Sequence, residues 1–192
     1  MDINFLKNKS QNNKLIGRDF FFYPTISSTN DAAKELALKN VPEGTIVLAD
    51  FQTKGRGQRG RQWLANPEET LLFSIILYPK NFDANTLKWL TRLGAIGVQA
   101  VAKDTFPQKD VIIKEPNDVL VCGKKIAGVL VELATQGSKL QYAILGIGIN
   151  VNVKNFPEEI KDTATSFYLL ANKIFSREQI LVDVLKKIDE EL

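Results

Sequence analysis

From Lys54 to Trp63 the chain reads KGRGQRGRQW, four cations and three glycines in ten residues, with no acid and a large aromatic at the end. Glycine loses more backbone entropy on ordering than any other residue, so this run is a poor helix and reads as a loop. Without Cβ atoms in the way, its backbone N–H groups can converge on an anion. The guanidinium groups of Arg56, Arg59 and Arg61 can add forked bonds to carboxylate or phosphate. Charge alone leaves a second reading open, a solvated surface loop with no ligand. Trp63 either covers an apolar ring or anchors the core.

Three further stretches carry groups of interest. KEPND, Lys114 to Asp118, sets a lysine and an acid around a proline that disfavours helix at Glu115; taken singly it is an ordinary turn. GKKIAGVLVE places Lys124 and Lys125 at the start of an apolar strand. Lysines at a hairpin tip usually face solvent, but a lysine point charge inside a site can bridge two anionic groups that otherwise repel. GIGIN, Gly146 to Asn150, puts glycines inside a strand pattern, the mark of a bulge or of a ligand approaching the backbone.

The chain has no histidine and one cysteine, Cys122. This excludes an internal disulfide and removes the commonest general base and zinc ligand. Chemistry must run on carboxylates, lysine, arginine and backbone amides. The G-x-x-x-x-G-K-[ST] phosphate loop is absent, and GIGIN lacks the spacing of the dinucleotide fingerprint.

The elements that must position these groups are readable from hydrophobic period. DFFFYPTISS predicts a strand, and STNDAAKELALKN a helix from about Asn30, with Ala32, Ala33, Leu36 and Ala37 on one face. TIVLAD predicts a buried strand ending just before the basic loop, and TLLFSIILYP a second one. A long helix follows over NTLKWLTRLGAIGVQAVAKD. VIIKEPNDVLVCGKKIAGVLVELAT gives a strand, a turn, and two apolar runs split by Gly123 and Lys124 as a tight hairpin; LQYAILGIGINVNV gives another strand. SREQILVDVLKKIDEEL predicts an amphipathic helix with Ile180, Leu181, Val184, Leu185 and Ile188 inward. Residues 1–17 are polar and expected to be loosely held. The pattern is mixed α and β, with no repeat and no linker.

The chain has 192 residues, 44% hydrophobic and 24% charged, with net charge +3, values that suit one globular domain with a real core. Basicity is concentrated in the loop rather than spread over a face, which favours a small anion over duplex nucleic acid. No apolar run has signal-peptide or membrane-span length, so a cytoplasmic location and no membrane partner are expected.

The order SSTN, QTKGRGQRGRQW, KEPND, GKKIAGVLVE, GIGINVN and TSF closely resembles the biotin protein ligases, over roughly residues 20 to 190. The resemblance implies an α/β (α+β) catalytic domain with a mixed, largely antiparallel sheet and packed helices, like the class II aminoacyl-tRNA synthetases. It implies two steps. The biotin carboxylate attacks the α-phosphate of Mg-ATP to form biotinyl-5′-AMP, and a lysine of a biotin carboxyl carrier domain, of acetyl-CoA carboxylase or a related carboxylase, then takes the biotinyl group. Catalysis would fall to Lys125, Arg56 and Asp118. Biotin would be held by Ser28, Thr29, Asn30, Gln52, Gly55, Arg56, Gly57, Lys125 and Gly128. ATP and the adenylate would be held by Gln58, Arg59, Arg61, Trp63, Asn117 and Asn150, with Mg2+ arriving with ATP; Asp118 would orient the incoming lysine or help hold that ion. No nucleic-acid partner is implied, and there is room for a homodimer.

Two positions depart from the pattern. Glu115 stands where the family commonly has tryptophan, which is expected to weaken packing or repel ATP. Gln58 stands where some members have arginine, so one contact to the adenylate is lost and its retention is expected to be less strict. No stretch matches an N-terminal helix-turn-helix domain or a C-terminal SH3-like domain, and slow turnover is expected if the latter normally closes over ATP. The competing readings are a lipoate or octanoate ligase or transferase of the same superfamily, a biotin-binding homologue without turnover, and, on the basic loop alone, a nucleic-acid-binding module.

Overall fold

The computed structural model describes residues 1–80, 84–137 and 139–192. Its elements are α1 (Ile3–Ser10), β1 (Phe20–Ile26), α2 (Thr29–Ala37), β2 (Ile46–Gln52), β3 (Thr70–Leu77), α3 (Ala84–Thr105), β4 (Val111–Lys114), β5 (Asp118–Val121), β6 (Lys124–Gln136), β7 (Lys139–Asn150), α4 (Phe167–Ala171) and α5 (Arg177–Glu190). Among the described residues, no helix is long and apolar enough to cross a membrane.

The strands form one seven-stranded sheet in the order β1-β2-β3-β7-β6-β5-β4. β1 and β2 run parallel, as they must when α2 carries the chain back between them. The other neighbours are antiparallel. The mixed, mostly antiparallel sheet with packed helices is the architecture the resemblance implies. β3 lies centrally and is buried along its whole length, which is why its sequence reads as a nearly unbroken apolar run rather than an alternation.

The two faces of the sheet have different covers. On one, Leu71, Phe73, Ile75, Leu145, Ile147 and Ile149 pack into a large core with α3 and α5 residues such as Leu90, Leu93, Val98, Leu181, Val184 and Leu185. On the other, Val47, Ile76, Tyr142 and Ile144 form a smaller cluster with Ala32, Ala33, Leu36 and Ala37 of the short α2, edged by partly buried residues such as Tyr23, Val41 and Tyr78. One nine-residue helix cannot cover that face, and the uncovered part is where the site lies.

Two expectations need correction. Residues 1–17 are not loosely held: α1 is capped by the Asp2 carboxylate, and Leu6 and Ile16 are fully buried. The buried Asp189 of α5 accepts the backbone N–H groups of Lys14, Leu15 and Ile16 at 2.6, 2.8 and 2.8 Å. A carboxylate 173 residues or more away supplies this order, so local composition gives no sign of it. The β5–β6 hairpin turns at Cys122 and Gly123, one residue earlier than expected. Both have positive φ, 48° and 77°, as a two-residue hairpin turn requires. The five-residue α4 is too short to show a period; it is fixed by the Ser166 cap and by Phe167, whose ring meets Phe106 and Phe175 at 5.4 and 5.5 Å.

Asp189→Ala strands three backbone donors, so it is expected to lower unfolding free energy by at least about 2 kcal/mol. Chemical denaturation measures this; a loss within about 0.5 kcal/mol would show that the N-terminal segment contributes little.

Candidate functional site

On the α2-covered face, successive inward positions of β7 are Tyr142, Ile144, Gly146, Gly148 and Asn150, because side chains alternate along a strand. The first two lie under α2; the next two carry no side chain and leave a hollow. A Cβ on Gly146 would collide with the Asn30 side-chain oxygen, and one on Gly148 would lie 2.6 Å from the Trp63 ring. Gly128 is the register partner of Gly148 on β6, and a Cβ there would meet Trp63 and the Lys125 Nζ at 3.0 Å. These glycines form a floor on which larger groups rest.

At the inner end, the start of α2 supplies polar groups. Ser28 is the N-cap residue by backbone geometry, yet its side chain makes no capping bond. Ser28, Thr29 and Asn30 are all buried. The Thr29 N–H donates to Gln52 Oε1 at 2.6 Å, which orients the amide and leaves Nε2 as a donor. Asn30 is fixed in the same way: Nδ2 donates to Glu132 at 2.6 Å, and Oδ1 accepts from the Ser74 hydroxyl at 2.6 Å. The donors and acceptors at this end are therefore pre-arranged.

Lys125 reaches the site through an irregularity. The β5–β6 register pairs Val119 with Ala127 but Leu120 with Lys125, leaving Ile126 as the extra residue of a bulge. Ile126 and Ala127 both enter the core, and the inversion puts Lys125 and Gly128 on the site face. The Lys125 N–H donates to Thr163 O at 2.7 Å and its carbonyl accepts from Thr165 N at 2.8 Å, tying the bulge to the segment before α4. Its Nζ lies 2.7 Å from the Asp118 carboxylate and 5.3 Å from the Trp63 ring centre.

The glycine-arginine loop closes the hollow. Its neck is tied where Trp63 N donates to Gly55 O at 3.0 Å and Gly57 N to Arg61 O at 2.7 Å. At its tip Arg59 and Gly60 both have positive φ, 56° and 73°. The Arg59 conformation is unfavourable for a residue with a Cβ, which concentrates strain at the tip. Arg56 turns to protein carboxylates: its guanidinium donates two bonds of 2.7 Å to Asp31 and a longer one of 3.3 Å to Glu132. Lys34 donates to Glu132 at 2.9 Å. The hydrogen bond from Arg56 outweighs burial and holds Asp31 below the usual aspartate value of 3.8. Burial pushes Glu132 up, but hydrogen bonds from Lys34 and Asn30 prevail and lower it from 4.5. The Asp31 bond raises the Arg56 guanidinium in turn.

The space divides into two connected parts. The inner, about 50 Å³, is lined by Ser28, Thr29, Asn30, Gln52, Arg56 and Gly128 among others. The outer, about 640 Å³, is bounded by Arg59, Arg61, Glu115, Asp118 and Asn150, with Phe156 and Ile160 as apolar wall. Gly57, Gln58, Trp63, Asn117 and Lys125 line both. Gly55 lines neither and lies in the loop neck, where it packs on the Trp63 backbone. Asn117 donates its side-chain N–H to Val129 O at 2.9 Å, which pins the KEPND turn to β6. Asn150 is buried, its amide donating to Thr165 O at 3.1 Å. Glu115 forms an ion pair with Arg92 of α3, so its charge beside the outer cavity is partly offset.

Sequence reasoning did not include Asp31, Lys34, Glu132 and Ser74 among the site residues, and it marked Gly146 and Gly148 only as a bulge or a place of ligand approach. Ser74 and Glu132 did carry a signal, each being a lone polar residue in an otherwise apolar strand run. Asp31, in the first turn of a helix, looks like any N-terminal acid.

Residues 22–150 match the biotin/lipoate A/B protein ligase family. The chain is 38% identical to the bifunctional ligase/repressor BirA of Bacillus subtilis over 175 residues, covering 90% of this chain and 53% of that protein. It is 31% identical to the biotin–[acetyl-CoA-carboxylase] ligase of Mycobacterium tuberculosis over 149 residues, 77% of this chain and 53% of that protein. The chain thus spans about half the length of these relatives, 53% in each case. Among solved structures, the biotin protein ligase of Aquifex aeolicus in complex with biotin and ATP has a TM-score of 0.77 at 38% identity, covering 90% of this chain and 69% of that one.

Gly148→Val is expected to lift Trp63 off the floor. In a Trp89→Phe background this reads as a red-shifted, more quenchable Trp63 emission, and an unchanged spectrum would contradict the stacked geometry. Asp31 has a lowered folded-state pKa, so its contribution is fully present above the unfolded value and is lost as pH falls through the folded one. The stability difference between wild type and Asp31→Asn is therefore expected at pH 7 and to vanish under strongly acidic conditions in parallel denaturation curves. A pH-independent difference would contradict it.

Proposed function

Because the chain belongs to the biotin/lipoate A/B protein ligase family, we propose that it activates biotin with ATP and transfers the biotinyl group to a lysine of a biotin carboxyl carrier domain, that of acetyl-CoA carboxylase or a related carboxylase. The observation that carries this reading is that the polar inner pocket and the larger outer cavity meet at Lys125. A reaction joining a carboxylate to a phosphorus centre needs two anions side by side, and one cation at the junction offsets their repulsion.

In this reading the inner pocket takes the ureido end of biotin. Its ring oxygen and N–H groups meet the hydroxyls of Ser28 and Thr29 and the amides of Asn30 and Gln52. The apolar body lies along the glycine floor, with the carboxylate at Lys125. An inner volume of about 50 Å³ holds little beyond a water or two, so admitting biotin requires Trp63 and the loop to shift outward. The outer cavity has the size of an ordinary small-molecule site. Adenine fits against Phe156 and Asn150, and the phosphates against Arg59 and Arg61, which make no ion pair among the described residues.

In the first step a biotin carboxylate oxygen forms a bond to the α-phosphorus, the bond from that phosphorus to the bridging oxygen breaks, and pyrophosphate leaves. In the second, the carrier lysine amine attacks the acyl carbon and AMP leaves with the electron pair of the broken acyl–oxygen bond. The nucleophiles belong to the substrates, so the chain's own task is positioning and charge stabilisation. Lys125 holds the two reacting oxygens together. Asp118, paired with Lys125 at 2.7 Å, faces the outer cavity as the acceptor for a proton of the incoming amine. Mg2+ bound by nucleotide phosphates needs only one or two protein carboxylates, and Asp118 is suited to be one. That ion supplies charge neutralisation on the phosphates.

Incubation with biotin, Mg-ATP and a biotin carboxyl carrier domain, read by mass spectrometry and pyrophosphate release, is expected to add one biotinyl group to the carrier. Lys125→Ala is expected to lower the rate by about a hundredfold or more. No biotin-dependent pyrophosphate release by the wild-type chain, or full activity of Lys125→Ala, would overturn the proposal.

A further inference from the structure

Arg56, which the resemblance assigns to biotin and to catalysis, has its charge taken up by the protein itself. Asp31 binds it with two parallel bonds of 2.7 Å, Glu132 adds a third contact at 3.3 Å, and Lys34 joins Glu132 at 2.9 Å and Asp31 at 3.5 Å. Two carboxylates and two cations make a set of zero net charge. The cation left nearest a ligand anion at this junction is Lys125, itself paired with the single carboxylate of Asp118 at 2.7 Å, with Arg59 and Arg61 farther out. We propose that Asp31 and Glu132 are positioning residues: they anchor Arg56, and through it fix one side of the glycine-arginine loop over the inner pocket.

The geometry gives the anchor a role beyond a surface ion pair. Arg56 is one side of the loop neck, forming an isolated bridge with Gln62, while Trp63 on the other side rests on the glycine floor. Pinning Arg56 makes it the fixed side, about which the tip and Trp63 swing when a ligand enters. With the guanidinium turned to Asp31 and Glu132, and the following Gly57 N–H bonded to Arg61 O at 2.7 Å, Arg56 serves the loop as an anchor rather than as a donor to the ligand carboxylate. The anchor also reaches into the pocket. Glu132 accepts from Asn30, Asn30 accepts from Ser74, and Ser74 lies 2.8 Å from the Thr29 hydroxyl. Loop position and the arrangement of pocket donors are therefore joined by one chain of hydrogen bonds. Removing Asp31 frees the fixed side of the loop while leaving the groups that touch substrate in place.

The consequence for ligand retention rests on the biotin-ligase reading, whereas the consequence for the loop does not. The test compares wild type, Asp31→Asn, Glu132→Gln and Asp31→Glu. In the unliganded chain, hydrogen exchange of residues 55–63 is expected to be at least about fivefold faster in Asp31→Asn, with exchange in α3 and α5 unchanged. With biotin and Mg-ATP, KM for biotin is expected to rise about tenfold while kcat stays within about threefold. Asp31→Glu, which keeps the charge, is expected to recover part of both effects, and Glu132→Gln to follow Asp31→Asn in direction. Loop exchange within twofold of wild type overturns the anchor. So does a lower KM for biotin in Asp31→Asn, which would make the pair an inhibitory latch, or a fall in kcat at constant KM. If no variant, wild type included, turns over biotin, the functional reading fails and the exchange data alone decide the anchor.

Discussion

The site depends on the absence of side chains at Gly128, Gly146 and Gly148. A sheet face that is elsewhere filled by Val47, Ile76, Tyr142 and Ile144 under a short helix would, if continued with ordinary residues, close over completely. Glycine in a strand interior weakens it through entropy and lost packing. Here the weakness is tolerated because the opposite face of the same strands is packed against α3 and α5 in the larger core. One face of the sheet supplies the stability that allows the other to be hollow.

Onto that floor the chain brings groups from four separated stretches, each placed by a different device. The unused capping position at the start of α2 leaves the Ser28 hydroxyl for the pocket. The bulge at Ile126 turns Lys125 from the core side to the site side. The Asn117 bond to Val129 fixes the turn that presents Asp118. The loop neck brings Trp63 back over the glycines. None of these devices is itself reactive, which agrees with a chemistry in which the substrates carry the nucleophiles and the protein supplies placement and charge.

Much of the fold was legible in the sequence because most elements are long enough to show a period. The apolar runs of β2 and β3, the long α3 and the amphipathic α5 all stand where hydrophobic spacing puts them. The order of strands across the sheet was not readable from spacing, and the resemblance implied only a mixed, largely antiparallel sheet with packed helices. Residues 1–17 were misread because their order depends on Asp189, at the far end of the chain. Among site residues, the loop stood out by type and spacing and the Lys124–Lys125 pair offered a candidate, whereas Asp118, in a turn that is ordinary by itself, came from the resemblance. Asp31 and Glu132 did not stand out, since an ion pair between a helix start and a strand interior has no signature in local sequence. The repulsion expected from Glu115 was framed without Arg92, which a separate helix places beside it.

The central claim is that Lys125 sits where a carboxylate and an α-phosphate are brought together over the glycine floor. A crystal structure of the chain with biotin and a non-hydrolysable ATP analogue tests it most directly. The account predicts the Lys125 Nζ within hydrogen-bonding distance, about 3 Å, of both the biotin carboxylate and an α-phosphate oxygen. A ternary complex with Lys125 still held on Asp118 and clear of both ligands, or with biotin bound away from Gly128 and Gly148, would contradict it.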